Sequence, residues 1–109
     1  MTPETRLSND IKLWCGEHNI LCFHINQGTL YTQYGGVVKL DTPNGFPDLL
    51  CIYTNSRTAF IETKIKPRKP TKDQLRVQAL LRDRGFPSTT VYTLQEFIDY
   101  IKKEWNIND

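Results

Sequence analysis

The sequence predicts an α/β domain with elements in the order αβββαβα. Three observations point there. Apolar residues recur at helical spacing near the N-terminus and again near the C-terminus. "LCFHIN" alternates apolar and polar residues with the period of a strand. Two further strand-like runs, "DLLCIY" and "TAFIETKI", flank the turn signal Asn55-Ser56 and read as a hairpin. A chain of 109 residues with 39% hydrophobic residues buries one core, so a single domain over 1–109 is expected.

Thr2 and Pro3 suit an N-cap and a first helical position. Leu7, Ile11, Trp14 and Cys15 then form one apolar stripe over residues 3 to 18. Glu4 falls within that stripe, so a carboxylate is aimed inward at the helix start. In residues 21–26, Leu21, Phe23 and Ile25 alternate with Cys22, His24 and Asn26. Residues 27–47, rich in Gly, Thr, Tyr and Asn, read as a long connection with one short strand near "GVVKL"; connections this long are commonly functional.

After the hairpin, "TKDQ" spaces Thr71 and Gln74 as a capping box, opening a helix that ends near Gly85. "STTVYT" is a short strand. "TLQE" repeats the capping spacing, and Leu94, Phe97, Ile98, Ile101 and Trp105 supply the stripe of a last helix.

Cys15, Cys22 and Cys51 form an odd set without CxxC spacing and read as reduced core residues rather than as a disulfide framework or a zinc site. No run approaches the roughly 20 apolar residues of a membrane span. The opening "MTPETRLSND" lacks the basic and apolar regions of a signal peptide, so a cytoplasmic protein is expected. Charge is unevenly spread. Residues 64–84 hold eight basic residues against Asp73 and Asp83, whereas the rest of the chain holds six basic and ten acidic. Such lopsidedness suits a polyanionic partner on one side, although a solvated helix face gives the same pattern.

The segment "GFPDLLCIYTNSRTAFIETKIK" carries the chemistry. On a strand, Glu62 and Lys64 project from one face about 7 Å apart. Hairpin register decides whether Asp48 joins them. Paired positions summing to 110 put it opposite Glu62, while a two-residue loop at Asn55-Ser56 gives 111 and turns it away, so a shared site requires a three-residue loop or a bulge. Two converging carboxylates are costly unless a cation lies between them. Oxygen donors of this kind suit magnesium or manganese, and an adjacent ammonium suits phosphoryl chemistry. In the plain alternative, Asp48 ends a strand and Glu62 pairs with Lys64 on the surface.

"GFPDLL", "FIETK" and "TKDQLRVQALLRDRGF" together resemble the VRR-NUC branch of the PD-(D/E)xK nuclease superfamily, over residues from about Glu4 to Ile98. The resemblance implies a restriction-endonuclease-like αβββαβ core, a mixed four-stranded sheet flanked by helices, with an extra C-terminal helix. It implies a metal site made by Asp48, Glu62 and the main-chain carbonyl of Thr63, with Lys64 as the catalytic lysine. Glu4 matches the family's acidic residue on the first helix and Gln74 its glutamine on the helix after the Glu-x-Lys strand. Where many relatives have Arg-x-Asn, this chain reads His24-Ile25-Asn26, so His24 and Asn26 are candidates for phosphate contact.

Lys66, Arg68, Lys69, Lys72 and Arg76 are the candidates for tracking a DNA backbone. Tyr31 and Tyr34 are candidates for stacking on exposed bases. The implied activity is a Mg2+- or Mn2+-dependent DNA endonuclease selective for junction, flap or branched DNA, similar to stand-alone phage and bacterial resolvase-like enzymes. Symmetrical substrates favour a homodimer. The alternative is a non-catalytic nucleic-acid-binding module that uses the basic segment 64–84 alone.

Overall fold

The structure, a computed structural model, describes residues 1–25, 29–31, 33–39 and 43–108. Its elements are α1 (Pro3–Glu17), β1 (Leu21–His24), β2 (Thr29–Tyr31), β3 (Val37–Lys39), β4 (Leu49–Ile52), β5 (Thr58–Thr63), α2 (Lys72–Asp83), β6 (Ser88–Val91) and α3 (Leu94–Trp105). The main sheet runs β1-β4-β5-β6, antiparallel except for the parallel β5–β6 pair, and β2 and β3 pair separately. The predicted order therefore holds for the main sheet, which is mixed and four-stranded. Of the added hairpin, only β3 was legible, from its paired valines; both strands are three residues long, too short to show an alternation, and β2 has no such β-branched aliphatic pair.

Two strand ends fall short of expectation. β1 stops at His24, although the Ile25 amide still donates to the Asp48 carbonyl at 2.8 Å, and Asn26 lies outside the described residues. β5 stops at Thr63, although the Lys64 amide donates to the Val91 carbonyl at 3.1 Å and keeps that residue aligned with β6.

Hairpin register follows the sum of 110, with Leu49 opposite Ile61 and Ile52 opposite Thr58. The device that sets it is visible. Asn55 and Ser56 both have positive φ, as the turn signal requires. The Arg57 amide donates to the Thr54 carbonyl at 3.3 Å, while the Arg57 carbonyl accepts from the Tyr53 amide at 2.8 Å. Tyr53 and Thr54 thus both face Arg57, and this one-residue bulge converts a sum of 111 into 110. Asp48 and Glu62 end up on the same sheet face.

The core lies on the other face. Leu49, Cys51, Ala59 and Ile61 are completely buried there beneath Ile11 and Cys15 of α1 and Phe97 and Ile101 of α3. α3 carries the stripe read from the sequence, with Phe97, Ile101 and Trp105 buried. On the Asp48 side, Phe60 packs edge-on against Phe46 and Phe86, at 5.6 and 5.7 Å between ring centres.

α2 begins with the predicted capping box: Thr71 Oγ1 accepts from the Gln74 amide at 3.1 Å and Gln74 Oε1 accepts from the Thr71 amide at 2.8 Å. Gly45 fits against this helix start. Its φ is +86°, and a Cβ there would meet the Asp73 carbonyl carbon at 2.4 Å and the Gln74 nitrogen at 2.6 Å. Only glycine lets the loop leading to Asp48 lie on the first turn of α2. Among the described residues, no helix is long and apolar enough to cross a membrane.

Candidate active site

Asp48 follows the buried Pro47 at the end of β4. Its Oδ2 accepts from the Thr63 amide at 3.2 Å and from Thr63 Oγ1 at 2.9 Å. The register explains why that amide is available. Thr63 lies opposite Pro47, where the ladder ends, and a proline has no N–H to return to the Thr63 carbonyl. The side chain of Asp48 takes over one half of the missing pair. The carbonyl of Thr63 is left without a donor from that position.

Glu62 is only 3% exposed. Its Oε2 accepts from Gln74 Nε2 at 3.3 Å, while Oε1 is buried and finds no hydrogen-bond partner among the described residues. Burial pushes its pKa up to about 8; the neighbouring Asp48 charge adds to the rise, Lys64 opposes it and Glu4 contributes a smaller increase. A buried carboxyl beside a second carboxylate keeps its proton unless a cation compensates. Lys64, 7% exposed, supplies part of that compensation from two residues away on the same strand face.

Gln74 performs two tasks with the two ends of one amide. Its oxygen closes the capping box and its nitrogen holds Glu62. The sequence reads Gln74 once as a capping residue and once as the match to the family's glutamine, and the structure joins the two in one arrangement. Glu4, in the first turn of α1, lines a cleft of about 220 Å³ together with Thr2, Thr5, Ser8, His24, Asp48 and Thr63. Its carboxylate stands 3.9 Å from Arg68 Nη1, and both side chains remain partly in solvent. Thr5 and Ser8 had no signal of their own in the sequence, although Ser8 stands one helical turn after Glu4 and follows from it. A larger cleft of about 360 Å³ lies around Trp14, His18, Tyr53 and Lys102, and contains none of the three carboxylates Glu4, Asp48 and Glu62.

The structure thus brings together Glu4, His24, Asp48, Glu62, Thr63, Lys64 and Gln74. His24 is exposed at the end of β1, on the cleft wall. The basic candidates surround rather than enter the cleft. Lys66, Arg68, Lys69, Lys72 and Arg76 are all exposed, with Lys66 Nζ 5.6 Å over the Tyr92 ring and Arg76 3.9 Å from Asp73. Tyr34 is 88% exposed beside the β2–β3 turn. Two close carboxylates, an orphaned buried oxygen, a main-chain carbonyl lacking its ladder donor and no sulfur or imidazole in the innermost group make a donor set that fits a hard divalent cation.

No family model matches the sequence, and no curated protein matches it. A solved structure titled "VRR_NUC domain" superposes with a TM-score of 0.68 at 24% identity, over 94% of this chain and 97% of that one. The chain is thus an α/β domain with a mixed four-stranded sheet and three helices, similar in fold to that VRR_NUC domain.

Proposed function

We propose that the chain is a nuclease that hydrolyses phosphodiester bonds in DNA with the help of Mg2+ or Mn2+. The observation that carries this reading is Glu62, a buried carboxyl with one unpartnered oxygen, raised pKa, and Asp48 and Lys64 beside it. A fold shared with a VRR_NUC domain supports the same conclusion. Asp48, Glu62 and the carbonyl of Thr63 would hold the ion, which polarises a phosphoryl oxygen and makes water nucleophilic near neutral pH.

The remaining tasks belong to the chain itself. Thr63 fixes Asp48 through two hydrogen bonds, and Gln74 fixes Glu62. Lys64 orients the attacking water and stabilises charge gathering on the phosphorus centre. Glu4 and His24 face the same cleft from α1 and β1, where they position the water or the phosphate. Lys66, Arg68, Lys69, Lys72 and Arg76 take the DNA backbone without reading sequence.

So small a domain has little surface for reading a long sequence, so selectivity is for DNA shape: junctions, flaps and branches. Linear, nicked, flap and four-way substrates incubated with Mn2+ should give cleavage of the branched forms and little of the linear duplex. Tight binding of all four with no nick under any divalent ion leaves the binding-module alternative standing. Paired incisions in a symmetrical junction call for two chains, so sedimentation should return a dimer mass in the presence of four-way DNA.

A further inference from the structure

The three cysteines, unconnected in sequence, meet in space. Their sulfur atoms all lie within 4.8 Å of one another, and Cys51 Sγ is 3.6 Å from Cys22 Sγ. The placement is built into the fold. Cys22 and Cys51 are direct cross-strand partners of β1 and β4, in a pair without mutual backbone hydrogen bonds, where side chains approach most closely. Cys15 comes down from α1 onto the same sheet face, and the His18 and Ile20 amides both donate to its carbonyl, which fixes that end of the helix. Cys15 and Cys51 are fully buried, Cys22 is half-buried, and all three are free thiols.

We propose that Cys15, Cys22 and Cys51 form a second metal site, separate from the carboxylate cleft, that takes a soft monovalent cation such as copper(I) in a three-coordinate thiolate shell. The distances carry this. Three sulfurs about 2.3 Å from a common centre stand about 4 Å apart in a trigonal plane, within the spread observed here. Ligand chemistry narrows the ion. No oxygen donor belongs to the group, which disfavours magnesium and calcium, and among the described residues no histidine or carboxylate joins the three thiols, so tetrahedral zinc would need a solvent ligand in a largely buried site whereas three-coordinate copper(I) would not. Core packing alone accounts for small apolar residues at these positions, but not for three thiols converging on one point with the half-buried one as an entrance.

The site also has a structural consequence. α1 and β1 each carry one thiol and also carry Glu4 and His24 respectively, and β4, which carries Cys51, begins directly after Asp48. Glu4 and Cys15 are eleven positions apart on α1, about 16 Å along its axis. A bound ion therefore ties α1 and β1, which line the cleft, to the strand that follows Asp48, without touching the cleft itself.

The full chain, reduced and handled without oxygen, would be titrated with copper(I) in competition with a chromogenic copper(I) chelator. One equivalent should be retained per chain, with a raised melting temperature and an X-ray absorption spectrum showing three sulfurs and no lighter neighbour. Cys22→Ser, at the half-buried edge position, should stay folded by circular dichroism and lose at least a hundredfold in affinity. Glu62→Gln should leave copper binding unchanged, which separates this site from the carboxylates. Retention of copper by Cys22→Ser at wild-type affinity, or nitrogen or oxygen neighbours in the wild-type spectrum, would each overturn the proposal. The absorption measurement uses the wild-type protein alone and stands even where a variant does not fold.

Discussion

Lys64→Ala is expected to cut branched DNA about a thousand-fold more slowly than the wild-type chain while binding it almost as well. The separation follows from where the charges are. Lys64 is 7% exposed beside Glu62, whereas Lys66, Arg68, Lys69, Lys72 and Arg76 are in solvent, where the proposed backbone contacts would be made. Losing one inner ammonium should barely alter the slope of affinity against salt. Lys64 also lowers the pKa of Glu62, so its removal has a second effect: Glu62 holds its proton to higher pH. The pH profile of the variant distinguishes the two. If cleavage by Lys64→Ala recovers fully at pH 9, the lysine only keeps Glu62 ionised and its assigned part in handling water is wrong. Persistent loss at that pH, with binding retained, assigns it to the chemistry. Lys64→Arg should not restore the rate, because a planar guanidinium fork does not reproduce the compact point charge of an ammonium.

The sequence made the chemistry of the site legible and left its geometry open at one point. Asp48, Glu62 and Lys64 were recognisable because carboxylates and an ammonium are out of place in strands that are otherwise apolar. Whether Asp48 faced Glu62 depended on a single extra residue in the hairpin, and the Tyr53–Thr54 bulge supplies it. Gln74 was legible as a cap because Thr71 stands three residues before it, and its grip on Glu62 followed only once α2 lay over the sheet.

What stayed hidden depends on distant parts of the chain meeting. Gly45 looks like any loop glycine until the first turn of α2 rests against it. The thiol group comes from a helix and two strands whose pairing is non-local, and no spacing rule reaches from Cys22 to Cys51. Thr5 and Ser8 line the cleft because α1 lies along it, and their residue types alone announce nothing.

Glu62 should make the metal-free protein lose stability as pH rises, a direction opposite to that of an ordinary surface carboxylate in a salt bridge. Its folded pKa is raised from 4.5 to about 8, so the folded state binds the proton more tightly than the unfolded chain does. The resulting stabilisation is complete below pH 4.5 and disappears as pH climbs through 8, a loss on the order of a few kcal/mol. Urea unfolding of chelator-treated wild-type protein and of Glu62→Gln, between pH 5 and 8.5, measures it. The glutamine keeps the shape and the Gln74 contact but has no proton to lose, so the two curves should nearly coincide at pH 5, with the variant becoming the more stable protein at pH 8.5. Mn2+ should then reverse the order at pH 8.5, because a cation that binds the ionised folded site adds stability by mass action and the variant lacks the charge to hold it. Parallel pH curves for the two proteins would mean that Glu62 ionises like an exposed carboxylate. The buried carboxyl that carries the nuclease reading would then not exist. A normal crossing with no response to Mn2+ would instead leave Glu62 as a buried acid whose proton, rather than a metal, is its working partner.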